Sequence, residues 1–491
     1  MLNNERFYRF LTRILIIPFV ILLFSPFTMV LAQDEEVVPP VVVANYGNSG
    51  ATLAIPRWKG YMSETNPDNF WLAFATSSTA PANIKYTTDA GATWSPGGLL
   101  AGETGSMNYH ASLFGRANTL YITWPGGSSI YFRKINPPAH DNADRDPLRI
   151  VPGASGEHRS SVTVDGNGRI WVFTRLSATP SENVRYHYSD DGGANWTNGV
   201  AVATGADHVR IGSMPYIDGR AALVVFYMYS ARGYEYYVWN GTSFEAMPDH
   251  AIYPVAMGEV RVFTHNVIND TTFHMIFGLG FNLIHVWKHY QGGNGSWTSQ
   301  IIDSSPYTED NDWFTASTVR GGRLYLFYLK KASSDASSTQ VMYKRWDQAT
   351  MTWTAPVLVS GQITANHDPN TCFSVPTTAN YIPVFWSSEE SGLDIYFAKI
   401  LLQDQPEIDT IPPAAIEDLG NVTGPDQGVL LSYRTAPGYN GIEALADDYH
   451  NAHQPEIITD HNWDSDFFII DPAIEGAAEG NLLTGAEQGR R

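Results

Sequence analysis

Short apolar runs recur along the chain about every 50 residues, each bounded by polar or glycine-rich stretches. They read Trp71-Leu72-Ala73-Phe74, Leu120-Tyr121-Ile122-Thr123-Trp124, Ile170-Trp171-Val172-Phe173 and Leu223-Val224-Val225-Phe226. They continue with Phe273-His274-Met275-Ile276-Phe277, Leu324-Tyr325-Leu326-Phe327-Tyr328 and Ile382-Pro383-Val384-Phe385-Trp386. Runs this short, rich in aromatic and β-branched residues, suit strands rather than helices. A second set follows the first: Ile84-Lys85-Tyr86, Ile130-Tyr131-Phe132, Val184-Arg185-Tyr186, Tyr236 to Trp239, Ile284 to Trp287, Val341-Met342-Tyr343 and Ile395-Tyr396-Phe397. Tight turns such as Asp165-Gly166-Asn167-Gly168 and Gly321-Gly322 lead into several runs of the first set, as hairpins require.

The period is that of propeller blades, each a unit of four strands. Seven units begin near residues 51, 108, 157, 208, 259, 311 and 366. The expected fold is therefore all-β: a β-propeller of four-stranded blades over residues 41–402. Seven blades are favoured; six blades with one unit outside the wheel is the alternative. Val41 to Ala44 is placed to supply the outer strand of the last blade and close the ring.

One phrase occurs twice: Thr87, Asp89, Gly91, Thr93, Trp94, then Ser189, Asp191, Gly193, Asn195, Trp196. The chemistry is that of a turn. The aspartate can accept bonds from backbone amides, glycine can adopt a backbone angle closed to other residues, and tryptophan folds back as an apolar plug. Later units keep the plug alone, in Trp297 and in Trp353 after Asp347. The pattern resembles the Asp box (BNR repeat) of the sialidase-like β-propellers. The boxes are read as structural; they orient the wheel and carry no substrate.

Beyond a Pro- and Asp-rich linker (403–413), residues 414–491 resemble the opening of a fibronectin type III module, with Tyr433 where that family usually carries Trp. The chain stops at Arg491, where the last two strands of such a module should begin. A truncated, incomplete β-sandwich is expected. At the other end, Arg6, Arg9 and Arg13 precede the apolar run Ile14 to Leu23, and Val30-Leu31-Ala32 precedes a polar start at Gln33. Residues 1–32 thus read as a signal peptide, so the protein is expected to be secreted or held at the cell surface, with no membrane span after cleavage.

The net charge of −20 argues against a nucleic-acid partner. The single cysteine, Cys372, excludes an intrachain disulfide and sits in an apolar run, as a small core residue would.

In a propeller the innermost strands start at the mouth of the ring, opposite the Asp-box turns, so candidate chemistry is sought at the unit starts. These hold Arg57, His110, His158, Arg159, His208, Arg210, Arg261, Asp312, Trp313, His367 and Asp368. Arg159, Arg210 and Arg261 are spaced 51 residues apart (210−159 and 261−210). Guanidinium forks match the two oxygens of a carboxylate. The competing reading is a ring of inter-blade salt bridges, since Glu157, Asp207 and Glu259 lie just upstream. No two of the histidines have helical metal-ligand spacing, and no metal or cofactor is expected.

The resemblance to sialidases implies a glycan at the mouth. It would also place an arginine within the stretch Leu53-Ala54-Ile55-Pro56, where Ala54 stands instead, and no Tyr–Glu nucleophile pair stands out. Tyr234 with Glu235 falls in an expected loop, and Tyr307 with Glu309 is the other pairing. Three functions remain open. One is a secreted binder of a glycan, a carboxylated sugar or a cell-surface protein, with Tyr109 and Trp313 suited to stacking. The second is a divergent, exo-sialidase-like glycoside hydrolase using Asp312 or Asp368 as acid. The third is a uronate polysaccharide lyase.

Overall fold

The computed structural model describes residues 35–45, 58–75, 82–95, 111–126, 129–136, 148–151, 157–176, 182–197, 199–206, 209–215, 219–227, 234–247, 262–268, 272–289, 297–308, 313–390 and 394–402, together with strands at 427–433, 442–448, 466–470 and 483–484. The chain forms an all-β propeller of seven blades, each an antiparallel sheet; in six of them the strands follow one another in sequence order, and blade 7 takes its outer strand from Glu35–Asn45. The inner strands are Gly60–Met62, Ser112–Arg116, Glu157–Val164, Val209–Pro215, Phe263–Ile268, Thr315–Arg320 and Asn366–Asn370. Three strands of blade 1 are described. Residues 427–484 carry a separate four-stranded sheet, within the region where the sandwich is expected. The 403–413 linker and residues 1–32 lie outside the described residues.

The ring closes as the pattern suggests. Glu35–Asn45 pairs antiparallel with the third strand of blade 7, with Val41 opposite Phe397 and Val42 opposite Tyr396. The register slips between Val38 and Val41, where Pro39 and Pro40 lack the amide hydrogens a ladder needs. The closing strand starts earlier than Val41, and its first residue is its anchor. The Glu35 carboxylate, with a side chain 3% exposed, accepts bonds from Arg345 Nη1, from the Tyr325 hydroxyl (3.2 Å) and from the Tyr343 hydroxyl (3.1 Å), all on blade 6.

The core lies between blades. Blades 3 and 4 share Trp171, Phe173, Ile211, Leu223, Val225 and Trp239; blades 2 and 3 share Phe114, Phe132, Val162 and Val172. A common device latches four of the seams at their outer edge. Trp94 of blade 1 lies on Phe397 of blade 7 (5.1 Å), and Trp196 of blade 3 on Phe132 of blade 2 (5.0 Å). Trp297 of blade 5 lies on Tyr236 of blade 4 (5.9 Å), and Trp353 of blade 6 on His285 of blade 5 (5.2 Å). In each case an aromatic after the third strand covers the third strand of the preceding blade.

The two full copies of the repeated phrase fold identically. Asp191 Oδ1 accepts from Ser189 Oγ (2.8 Å) and from the Asn195 amide (2.8 Å); Asp89 Oδ1 accepts from Thr87 Oγ1 (2.7 Å) and the Thr93 amide (2.9 Å). Gly91 and Gly193 have φ of 86° and 93°. A Cβ at either would also strike the ring beneath, Phe397 or Phe132, at 2.3 Å. Glycine is required there twice over, by backbone angle and by space.

Candidate functional site

Every inner strand starts at the mouth, and every second strand returns to it. The repeated turns, between third and outer strands, therefore lie on the opposite face. At the ring's centre, blades meet through aromatic side chains. The Trp58 indole donates to the Ser317 carbonyl of blade 6 (3.0 Å), and its ring lies 4.8 Å from His265 of blade 5 and 4.9 Å from Phe373, just beyond the inner strand of blade 7. Phe373 in turn contacts Phe114 of blade 2 at 5.4 Å. This plug gives the mouth a floor. Around it, buried hydroxyls stitch neighbouring blades: Ser161 to Ser213 (2.8 Å) and Thr264 to Ser317 (2.6 Å) between inner strands, and Ser160 to Thr123 (3.0 Å) on the second strand of blade 2.

Arg159 lies near the mouth end of blade 3's inner strand, directly opposite Arg175 on the second strand. The pairs Ser161–Phe173 and Thr163–Trp171 continue the same face, so both arginines are turned toward blade 4. Like charges opposed across a ladder repel. Arg159 Nη1 is buried without a hydrogen-bond partner among the described residues, and so is Arg175 Nε, although Arg175 has another interaction. Arg175 escapes the reading of unit starts because it ends a second strand; extending the register of Ile170 to Phe173 by two residues would have found it.

Arg210 stands opposite Phe226, which contacts Phe263 of blade 5 at 4.1 Å. Arg210 is therefore turned toward blade 5, one seam on from Arg159. Arg57, His110, His208, Arg261 and Asp312 lie outside the described residues, as do the side chains of His158 and Glu157, the residues Asp207 and Glu259, and Tyr109.

A second cluster joins blades 7 and 1. Asp368 sits at a register slip between His367 and Asn370, with φ of 49°. It is 4% exposed, and its Oδ1 has no hydrogen-bond partner among the described residues. Burial pushes its carboxyl up to about 7, against the opposing pull of the Lys59 ammonium. Lys59 is completely buried, and its amide donates to Asn370 Oδ1 (2.9 Å). The sequence reading passed over Lys59, since one lysine beside a tryptophan carries no pattern. His367 Nε2 lies 3.4 Å from Glu389 Oε1; burial lowers the imidazole's proton affinity, and the carboxylate partly restores it.

Two expectations need correction. Trp313 is not a stacking surface: it is fully buried, its indole donates to the Gly280 carbonyl (3.2 Å), and it fills the space that a side chain at Gly278 would need. Tyr234 and Glu235 lie on a strand, not a loop. Tyr234 is buried in the seam of blades 4 and 5, while Glu235 accepts a bond from the Tyr237 hydroxyl. Tyr307 is exposed, and Glu309 lies outside the described residues. Cys372 is a buried core residue, its thiol pushed up to about 12 by burial.

Among the described residues, no group of three His, Cys, Asp or Glu side chains is placed to hold a metal ion, and no helix is long and apolar enough to cross a membrane. No family model matches the sequence, and no curated protein matches it. Several solved structures are similar to it at low identity. An ulvan lyase, described as a new family of polysaccharide lyase, is 10% identical with a TM-score of 0.50, covering 75% of this chain and 96% of its own. A Hadza microbial sialidase is 12% identical with a TM-score of 0.42, covering 68% and 76%. A six-bladed fungal lectin with a fucose-recognition mode, from Aleuria aurantia, is 13% identical with a TM-score of 0.40, covering 60% and 92%. At these identities the likeness is one of fold.

Proposed function

We propose that this propeller binds an acidic saccharide at its mouth, with Arg159 and Arg175 of blade 3 seating the anionic group. The observation that carries the reading is the opposed arginine pair, with the buried, unpartnered Nη1 of Arg159. An unmade bond on a buried charged donor is costly. A carboxylate or sulfate lying between the guanidiniums would satisfy it and cancel the repulsion of the pair. Saccharide chemistry agrees, by analogy of fold alone, with the polysaccharide lyase of similar architecture.

The same reading makes the chain a divergent relative of the sialidase-like propellers that works outside the cytoplasm. It is supported by the residue pattern of the two turns and by the basic-then-apolar amino terminus. Amino-terminal sequencing of the exported protein is expected to begin at Gln33; a mature chain that still begins at Met1 would contradict export by cleavage.

Binding is tested by calorimetry with a uronate-containing oligosaccharide and its neutral, carboxyl-reduced counterpart. The acidic form is expected to bind, more weakly as salt rises, and the neutral form much less.

A second reading, catalysis, is favoured by Asp368. A carboxyl near 7 holds and releases protons at neutral pH, as a general acid or base must. New reducing ends would indicate hydrolysis; ultraviolet absorbance from an unsaturated product would indicate elimination. Either signal should vanish in Asp368→Asn. Turnover that survives this substitution would remove Asp368 from the chemistry.

A further inference from the structure

We propose that the seam between blades 5 and 6 is an acid-sensitive latch, in which protonating His274 or His285 breaks the contact that Trp353 makes across the seam. The geometry fixes the proton positions. Trp353 Nε1 faces His285 Nδ1 at 3.2 Å, and an indole nitrogen can only donate. His285 Nδ1 is therefore the acceptor, and its proton sits on Nε2. That nitrogen lies 2.9 Å from His274 Nδ1, so it donates there, and the His274 proton sits on Nε2. The bonds run in one direction, from Trp353 to His285 to His274. The chain ends at His274 Nε2, which is buried without a hydrogen-bond partner among the described residues.

Both acceptor nitrogens are thus in use, and both proton-bearing nitrogens are full. A third proton can be added only at a nitrogen that is already accepting a bond, turning that contact into donor against donor. Both imidazoles are fully buried and stacked at 5.1 Å, with Trp346 4.7 Å from His274. Burial accordingly depresses the proton affinity of both. The other titratable groups of the seam are engaged. His289 Nδ1 bonds Thr272 Oγ1 (2.9 Å), Lys330 bonds Asp303 (2.8 Å), and Lys344 Nζ donates to the Ile302 carbonyl (2.6 Å). Other seams set a phenyl ring where blade 5 sets His285: Phe397 beneath Trp94 and Phe132 beneath Trp196. The seam of blades 5 and 6 is distinguished by chemistry, not by shape.

The sign follows from linkage. The closed seam keeps both histidines neutral; the open seam lets them titrate near 6.5. Acidification below that value therefore favours opening, by up to about tenfold per pH unit for each histidine that takes a proton.

Hydrogen exchange on the full chain, corrected for intrinsic rates, tests this from pH 7 to pH 5. Protection of Asn282–His289 and Thr352–Trp353 should fall steeply, while the seam of blades 3 and 4, latched by Trp171, Trp239 and Phe244, should hold. The double variant His274→Phe/His285→Phe should keep protection independent of pH. Should it not fold, His274→Gln, which keeps an acceptor for His285, should halve the slope. Protection that is flat in the wild type, or that falls equally in these variants, would overturn the proposal.

Discussion

Asp368 shows what a single side chain can contribute and what it costs. Its folded carboxyl titrates near 7 instead of the ordinary 3.8. Between those values the native state holds a proton that the unfolded chain has released. Stability contributed by the protonated form is present at the acid end of that window and lost as pH rises through 7. Asp368→Asn keeps the shape and removes the charge. It should raise stability by about 2–3 kcal/mol more at pH 8 than at pH 5, and change it little only below about pH 4. Equal effects at both values would mean that the carboxyl is ionised throughout. Asp191 behaves oppositely: bonds from the Asn195 amide and side chain and from Ser189 hold it down at about 2, so it stays ionised at any ordinary pH.

At this scale the sequence was legible where chemistry is local. The turn residues Thr87 to Trp94 declare their partners within a few positions, and the structure shows those bonds. Trp313 was misread because a residue's distance from the axis depends on how neighbouring blades pack, and no local pattern records that. Lys59 and Arg175 were missed for a related reason: each matters through a partner on another strand, Asp368 or Arg159.

The element that decides closure is the amino-terminal strand. Val41 to Ala44 was legible in the sequence as the strand that closes the last blade. The anchor at Glu35 was not, because Arg345, Tyr325 and Tyr343 converge on it from about 300 positions away in the chain. Removing one partner of a buried ion pair leaves the other uncompensated, at a cost of about 3 kcal/mol. Glu35→Ala should lower the melting temperature and raise exchange along Glu35–Asn45 first. Unchanged exchange in that strand would show that its backbone ladder alone holds the ring shut. The same reasoning covers the latches. An aromatic after each third strand was visible in sequence, but its target, the third strand of the preceding blade, emerges only when the blades stand side by side.

For the molecule as a whole, the wheel explains why polar chemistry gathers at one face. Seven inner strands start together around an aromatic floor, and the Arg159–Arg175 pair stands near that end of blade 3. The overall charge of −20 makes a seat for an anion more notable, since the surrounding field opposes it. The central claim is that Arg159 and Arg175 form this seat. Titration calorimetry of a uronate-containing oligosaccharide against wild type, Arg159→Ala and Asp191→Ala tests it most directly. Arg159→Ala is expected to weaken binding at least about tenfold, a loss of about 1.4 kcal/mol or more, while Asp191→Ala, on the opposite face, leaves affinity unchanged. Equal affinity for wild type and Arg159→Ala would contradict it.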